Sequence, residues 1–133
     1  MSEIIDPPIE IHESSLGFYE IYDNYIIATF NEGVDVDLEC APEIIELLSR
    51  KMHKPFGWIS NKVNSYSANP LIMRDVIPKV PLFKSYCGVI YGNYSRDYTK
   101  MGKSSVPENF CLASFNTLDD GVEWTKNIVN IIS

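Results

Sequence analysis

A chain of 133 residues, 45% of them apolar and 22% charged, has the length and composition of one globular domain and can bury about two thirds of its unfolded surface without disulfide or metal staples. Its net charge of −7 argues against nucleic acid as a partner, because phosphate contacts dominate that kind of affinity. Cys40, Cys87 and Cys111 are odd in number and widely spaced, which suits reduced small hydrophobes better than a disulfide framework or a zinc site.

Residues 1–8 lack the basic start and apolar core of a signal peptide, and no later segment approaches 18 uninterrupted apolar residues. The expectation is a flexible N-terminus over 1–8, a single domain over 9–133, no transmembrane segment and a cytoplasmic location. Residues 9–22 predict one or two strands, with Ile9-Glu10-Ile11 alternating and Leu16 to Tyr22 rich in aromatic and β-branched types. Asp23-Asn24 makes a tight turn, so the strand before it pairs antiparallel with Tyr25–Phe30.

The stretch from Tyr25 to Asn61 is a strand, a helix and a strand in succession. Tyr25-Ile26-Ile27-Ala28-Thr29-Phe30 is a buried strand closed by the polar turn Asn31-Glu32-Gly33. From Leu38 the apolar residues Leu38, Ala41, Ile45, Leu48 and Met52 recur at helical spacing, widened by Ile44 and Leu47, with Glu43, Glu46 and Arg50 opposite. Pro42 sits early in that helix, and Asp35 or Asp37 caps a first turn that tightens before it. His53-Lys54-Pro55 stops the helix, and Phe56–Ser60 follows as a strand parallel to the first.

A polar loop over 62–69 leads to Asn69-Pro70, an N-cap followed by proline at the first helical position. The helix that begins there ends near Ile77, because Pro78 and Pro81 follow. Tyr86–Tyr91 is a further central parallel strand, 94–101 a weak helix, 102–107 a loop and 109–114 the last strand. Thr117 caps a final helix with Asp119 and Asp120 in its first turn and Leu118, Val122, Thr125, Val129 and Ile132 on its buried stripe. The fold class predicted is therefore α/β, a mixed, mostly parallel sheet of four or five strands flanked by helices.

In such a sheet ligands bind beyond the carboxyl ends of the parallel strands. Those loops offer Asn31, Glu32, Asp35, Asn61, Lys62, Asn64, Ser65, Ser67, Asn93, Tyr94 and Ser95, with no histidine or cysteine among them. A nucleophile there lacks its base, so neither hydrolase nor transferase turnover is expected. His53 lies at the opposite end of the sheet and His12 in the N-terminal segment, both read as solvated histidines. Asp35, Asp37 and Glu39 are crowded acids that either hold a cation or, as we favour, satisfy the start of the helix. Neither a dinucleotide fingerprint nor a P-loop is present.

Charge is segregated along the chain. Residues 1–49 carry 12 acidic side chains and no Lys or Arg, residues 50–103 carry 10 basic and 2 acidic, and residues 104–133 carry 4 acidic and 1 basic. Either these charges interleave in three dimensions, or an acidic and a basic face pair two copies about a twofold axis. In the second case Tyr94, Arg96, Tyr98, Lys100 and Lys103 form the interaction surface.

The succession of Gly33-Val34-Asp35-Val36-Asp37-Leu38-Glu39, a long helix, the Trp58-Ile59 strand and a closing Phe115-Asn116-Thr117-Leu118-Asp119-Asp120-Gly121-Val122-Glu123-Trp124 resembles the STAS-like superfamily, the SpoIIAA-like proteins related to anti-sigma factor antagonists. In particular the chain is similar to small stand-alone bacterial members. The resemblance implies a mixed sheet with helices on both sides, a non-enzymatic role in protein–protein regulation and no cofactor. Antagonists of this kind carry an aspartate, an apolar residue and a phosphorylatable Ser or Thr in the loop after the central strand. Here that stretch is Ser60-Asn61-Lys62-Val63-Asn64-Ser65-Tyr66-Ser67, without the aspartate. Lys62, Ser65 and Ser67 are thus the candidate partner or phosphorylation loop. The alternative function is a carrier or sensor of a small apolar, lipid-like molecule, in keeping with the aromatic and Met content and with lipid-binding relatives of the superfamily.

Overall fold

The computed structural model describes residues 7–91, 107 and 109–132, with the side chain of residue 132 left aside. Among the described residues eight strands and three helices follow one another as β1 Glu10–Ser14, β2 Gly17–Ile21, β3 Tyr25–Phe30, β4 Asp35–Val36, α1 Ala41–Lys51, β5 Phe56–Lys62, β6 Ser67–Ala68, α2 Ile72–Val76, β7 Phe83–Ile90, β8 Cys111–Phe115 and α3 Leu118–Ile132. Single 3-10 turns precede α1 at Leu38–Cys40 and follow α2 at Ile77–Lys79.

Six strands form one sheet in the order β1-β2-β3-β5-β7-β8. β1, β2 and β3 are antiparallel neighbours, and β3, β5, β7 and β8 run parallel. The sheet is thus mixed and mostly parallel as expected, with six strands where four or five were predicted. The extra strand comes from the N-terminal segment, which divides into β1 and β2. Between them the chain turns through Ser15 and Leu16 and re-enters the sheet at Gly17, whose φ of 154° places it where a β-carbon would run into the Thr29 carbonyl. Tyr22 N–H donates to the Tyr25 carbonyl at 2.9 Å and closes the turn at Asp23-Asn24.

Each face of the sheet has its own apolar cluster. On one side Tyr19, Ile21, Ile26, Ala28, Phe56 and Trp58 pack against Ala41, Ile44, Leu47, Leu48 and Met52 from α1 and Val76 from α2. On the other Tyr25, Ile27, Ile59, Cys87 and Val89 pack against Val122 from α3. β3 is buried along its whole length because both of its faces are covered.

Helix ends follow local chemistry. Asp37 accepts from the Leu38 N–H at 2.8 Å and caps the 3-10 turn, and Pro42 stands in the first turn of α1, where its missing N–H leaves no bond unmade. Asn69 Oδ1 accepts from the Leu71 N–H at 3.0 Å, so α2 starts two residues later than its Asn-Pro signal. The Asp120 N–H donates to Thr117 Oγ1 at 3.2 Å and fixes the start of α3.

Part of the charge segregation is resolved within the molecule. Lys51 pairs with Glu10 at 2.7 Å and Lys54 with Asp23 at 2.8 Å, each a base of the middle block against an acid of the first. Among the described residues no helix is long and apolar enough to cross a membrane.

Candidate functional site

The loops at the carboxyl ends of β3 and β5 are zipped to each other. Gly33, with a φ of 79°, turns the chain after β3 so that its N–H donates to the Ser65 carbonyl at 2.7 Å. The ladder continues through β4 and β6, parallel, with Asp35 opposite Ser67 and Val36 opposite Ala68. Side chains reinforce it. Asn64 Nδ2 donates to the Phe30 carbonyl at 2.9 Å, the Ser65 N–H to Glu32 Oε1 at 2.9 Å, Ser67 Oγ to Asp35 Oδ1 at 2.8 Å and Asn69 Nδ2 to Asp37 Oδ1 at 3.0 Å. The hydrogen bonds from Asn69 and from the Leu38 N–H hold the Asp37 carboxyl below its ordinary pKa. The polar residues of these loops therefore spend much of their bonding capacity on one another.

Beneath this ribbon, between it, α1, α2 and the sheet, lies a cleft of about 60 Å³. Phe30, Trp58, Phe83 and Tyr86 supply its floor from three strands, Ile44 comes from α1, Ile72, Met73 and Val76 from α2, and Val36, Tyr66 and Ala68 from the zipped ribbon. Its lining is apolar except at one end, where Ser60 and Tyr66 meet. Trp58 Nε1 donates to Ser60 Oγ at 2.9 Å, and Lys62 Nζ donates to Tyr66 Oη at 3.1 Å while standing 5.0 Å from the Tyr66 ring centre. Burial, and behind it Tyr86, push the Tyr66 phenol above its ordinary pKa, while Lys62 and Ser60 draw it the other way.

Trp58, Ser60 and Lys62 share one face of β5 because side chains alternate along a strand. Lys62, placed by its sequence in the polar loop, is instead the last residue of β5 and only 7% exposed. Gly88 makes this burial feasible. It pairs with Ser60 in the neighbouring strand, and a β-carbon on it would stand 3.2 Å from Lys62 Cε, so the lysine stem lies across the space that a side chain there would fill.

The other candidates are dispersed. Ser65 and Ser67 are exposed on the ribbon, Asn61 accepts from the Tyr91 hydroxyl at 2.6 Å, His53 is exposed after α1, and His12 stacks at a tilt on Tyr19 with 6.1 Å between ring centres. Tyr94, Arg96, Tyr98, Lys100 and Lys103, with Asn93 and Ser95, lie outside the described residues, as do the predicted helix over 94–101 and nearly all of the loop over 102–107. A second hollow of about 160 Å³ lies between Ile77, Pro81, Phe83, Lys84, Pro107, Asn109 and Phe110, at the amino ends of β7 and β8 and with a mixed polar and apolar lining.

Sequence reasoning missed the cleft itself and the parts of Trp58, Ser60, Tyr66 and Gly88 in it. A signal was there: Trp58, Ser60 and Lys62 at alternate positions put a hydroxyl and an ammonium on the inward face of a central strand, and buried polar groups are the informative exceptions in a core.

The chain matches no family model, no curated protein and no solved structure. Its likeness to the STAS-like superfamily thus stands on its sequence motifs, beside an α/β fold built on a mixed, mostly parallel sheet.

Proposed function

We propose that this domain binds a small, mainly apolar molecule in the cleft between α2 and the sheet, acting as a carrier or sensor without chemical turnover. One observation carries the proposal: an apolar hollow reaches the carboxyl ends of the parallel strands and ends in a small cluster of polar groups, the usual composition of a small-molecule site. The void itself is small, so a ligand the size of one ring has to displace part of its wall. α2 is the movable part. It has only five residues, set between Pro70 and Pro78, and short elements of this kind open at lower cost than long ones.

Native mass spectrometry of the purified protein tests this. The expected result is a retained small molecule, or uptake of one from an apolar fragment set, that is lost in Ala68→Phe, which fills the cleft from the ribbon. A protein that purifies empty and takes up none of the set would overturn the proposal.

A regulatory, STAS-like interaction module is the second reading, supported by the placing of Ser65 and Ser67. Both are exposed on the ribbon whose next residue, Ala68, lines the cleft. A partner or a phosphate at Ser67 would meet the Asp35 carboxylate and strain the cleft wall, which would couple the two readings through one element.

A further inference from the structure

β1 is an outer strand of the sheet and pairs with β2 alone among the described residues. The two-residue turn through Ser15 and Leu16 closes on Ser14 opposite Gly17, and an antiparallel ladder alternates from there. The N–H and C=O of His12 therefore point at β2, and those of Ile11 and Glu13 point away from it. Such an edge is a template for one more strand unless lysine, proline or a bulge blunts it. Residues 10–14 contain neither lysine nor proline.

The register shows what an added strand meets. Ile11 stands opposite Glu20 and Glu13 opposite Phe18, and Glu20 in turn stands opposite Ile27, which belongs to the apolar cluster on the α3 side. α3 lies along β5, β7 and β8 and leaves this corner open, with Ile11 56% and Phe18 37% exposed and Glu13 exposed beside them. Two apolar and two acidic side chains thus form a checkerboard. The bases nearest in the fold are already engaged, Lys51 with Glu10 and Lys54 with Asp23, and among the described residues no base pairs with Glu13 or Glu20. Partial burial pushes the Glu20 carboxyl above its ordinary pKa. A second copy fits this edge poorly, because β1 against β1 brings Glu10 and Glu13 of one chain near the same acids of the other, and like charges across strands are destabilising.

We propose that the β1 edge docks an extended segment of another protein in which lysine or arginine alternates with apolar residues. Its backbone bonds the outward groups of Ile11 and Glu13, its apolar side chains lie on Ile11 and Phe18, and its cations answer Glu13 and, one strand further in, Glu20. In this mode main-chain bonds supply affinity and the alternating side chains supply specificity. The surface is separate from the cleft and does not rest on the function proposed for it.

Two synthetic peptides of about nine residues test this, one alternating threonine with lysine and valine, the other carrying glutamate in place of lysine. Each is titrated into the full-length protein at low ionic strength, with amide shifts and amide hydrogen exchange as readouts. The lysine peptide is expected to protect the Ile11 and Glu13 amides and to bind about tenfold tighter than its glutamate twin, a difference that shrinks as salt approaches about 1 M. In the double variant Glu13→Lys, Glu20→Lys the order of the two peptides is expected to reverse. Equal binding of the two peptides, binding of neither, or shifts centred away from β1 would overturn the proposal. So would a lysine preference that survives in the folded double variant. A protein that is dimeric without peptide, its Ile11 and Glu13 amides already protected, would overturn it in favour of a second copy. Should the double variant not fold, Glu13→Lys alone, at an exposed site, takes its place.

Discussion

The two faces of the sheet are built on different plans. α3 has 15 residues, about 22 Å of helix, and lies along β5, β7 and β8. Small residues let it approach closely: Gly57 sits beneath Thr125, and Gly121 presses on Val89 and Cys87. On the opposite face α1 is followed by a helix of five residues, about 7.5 Å long, set against a strand of eight, about 26 Å. α2 packs against α1, and the cleft is the space left between its Ile72, Met73 and Val76 and the Phe83 and Tyr86 of that strand. The difference shows that a single α/β layer can be closely packed on one side and leave a hollow on the other. Four consequences, from the largest to the smallest, would break or sharpen this contrast.

Overpacking separates the faces most strongly. A β-carbon on Gly57 would overlap Ser85 Oγ and Thr125 Cγ2, so Gly57→Val is expected to cost about 3 kcal/mol or more in urea unfolding. Ala68→Leu, which enlarges a residue beside the void, is expected to cost less than about 1 kcal/mol or to stabilise. Equal costs would erase the distinction.

The sealed face also answers to alkaline pH. Burial pushes the Cys87 thiol up to about 11 from an ordinary 9.0. The unfolded chain gives up that proton first as pH rises, so stability is complete below pH 9 and falls between about 9 and 11, by about 2 kcal/mol from this group. Chemical denaturation across that range should show the decline in the wild type and a shallower one in Cys87→Ala. An identical slope in the two proteins would mean that water reaches the space under α3.

Truncation on the hollow face should be mild. Met73 is half-buried and already borders a void, so Met73→Ala is expected to cost about 1 kcal/mol, well below the 2–5 usual for a packed methionine. A loss of about 3 kcal/mol or more would show the cleft to be tightly filled.

The smallest effect concerns the ribbon. Ser67→Asp sets a second carboxylate against Asp35 at an exposed site, and the expected change in stability is within about 0.5 kcal/mol. Its larger consequence is expected in amide shifts of Val36 and Ala68, where the cleft wall moves; unchanged shifts there would separate the ribbon from the cleft.

Much of this architecture is written locally in the chain. The apolar run Tyr25–Phe30 gives a strand buried on both faces, the spacing from Ala41 to Met52 gives α1, Thr117 with the acids after it gives the start of α3, and Asp23-Asn24 gives the antiparallel turn. Each rests on periodicity or capping, which act over a few residues and are therefore legible in one dimension. β4 and β6 carried no such signal, because two-residue strands arise only when distant loops meet, here through Gly33 and Ser65. Lys62 shows the same limit. Its charge reads as loop, yet Gly88, 26 positions later, leaves the space in which its stem is buried and Tyr66 receives its ammonium. The sequence by itself determined the strands β3 and β5, the helices α1 and α3, and the antiparallel and parallel directions of β2, β3, β5 and β7. Only the tertiary structure decided that α2 leaves a hollow against the sheet and that Ser60, Lys62 and Tyr66 converge at the edge of the gap, since both depend on packing between residues that are remote along the chain.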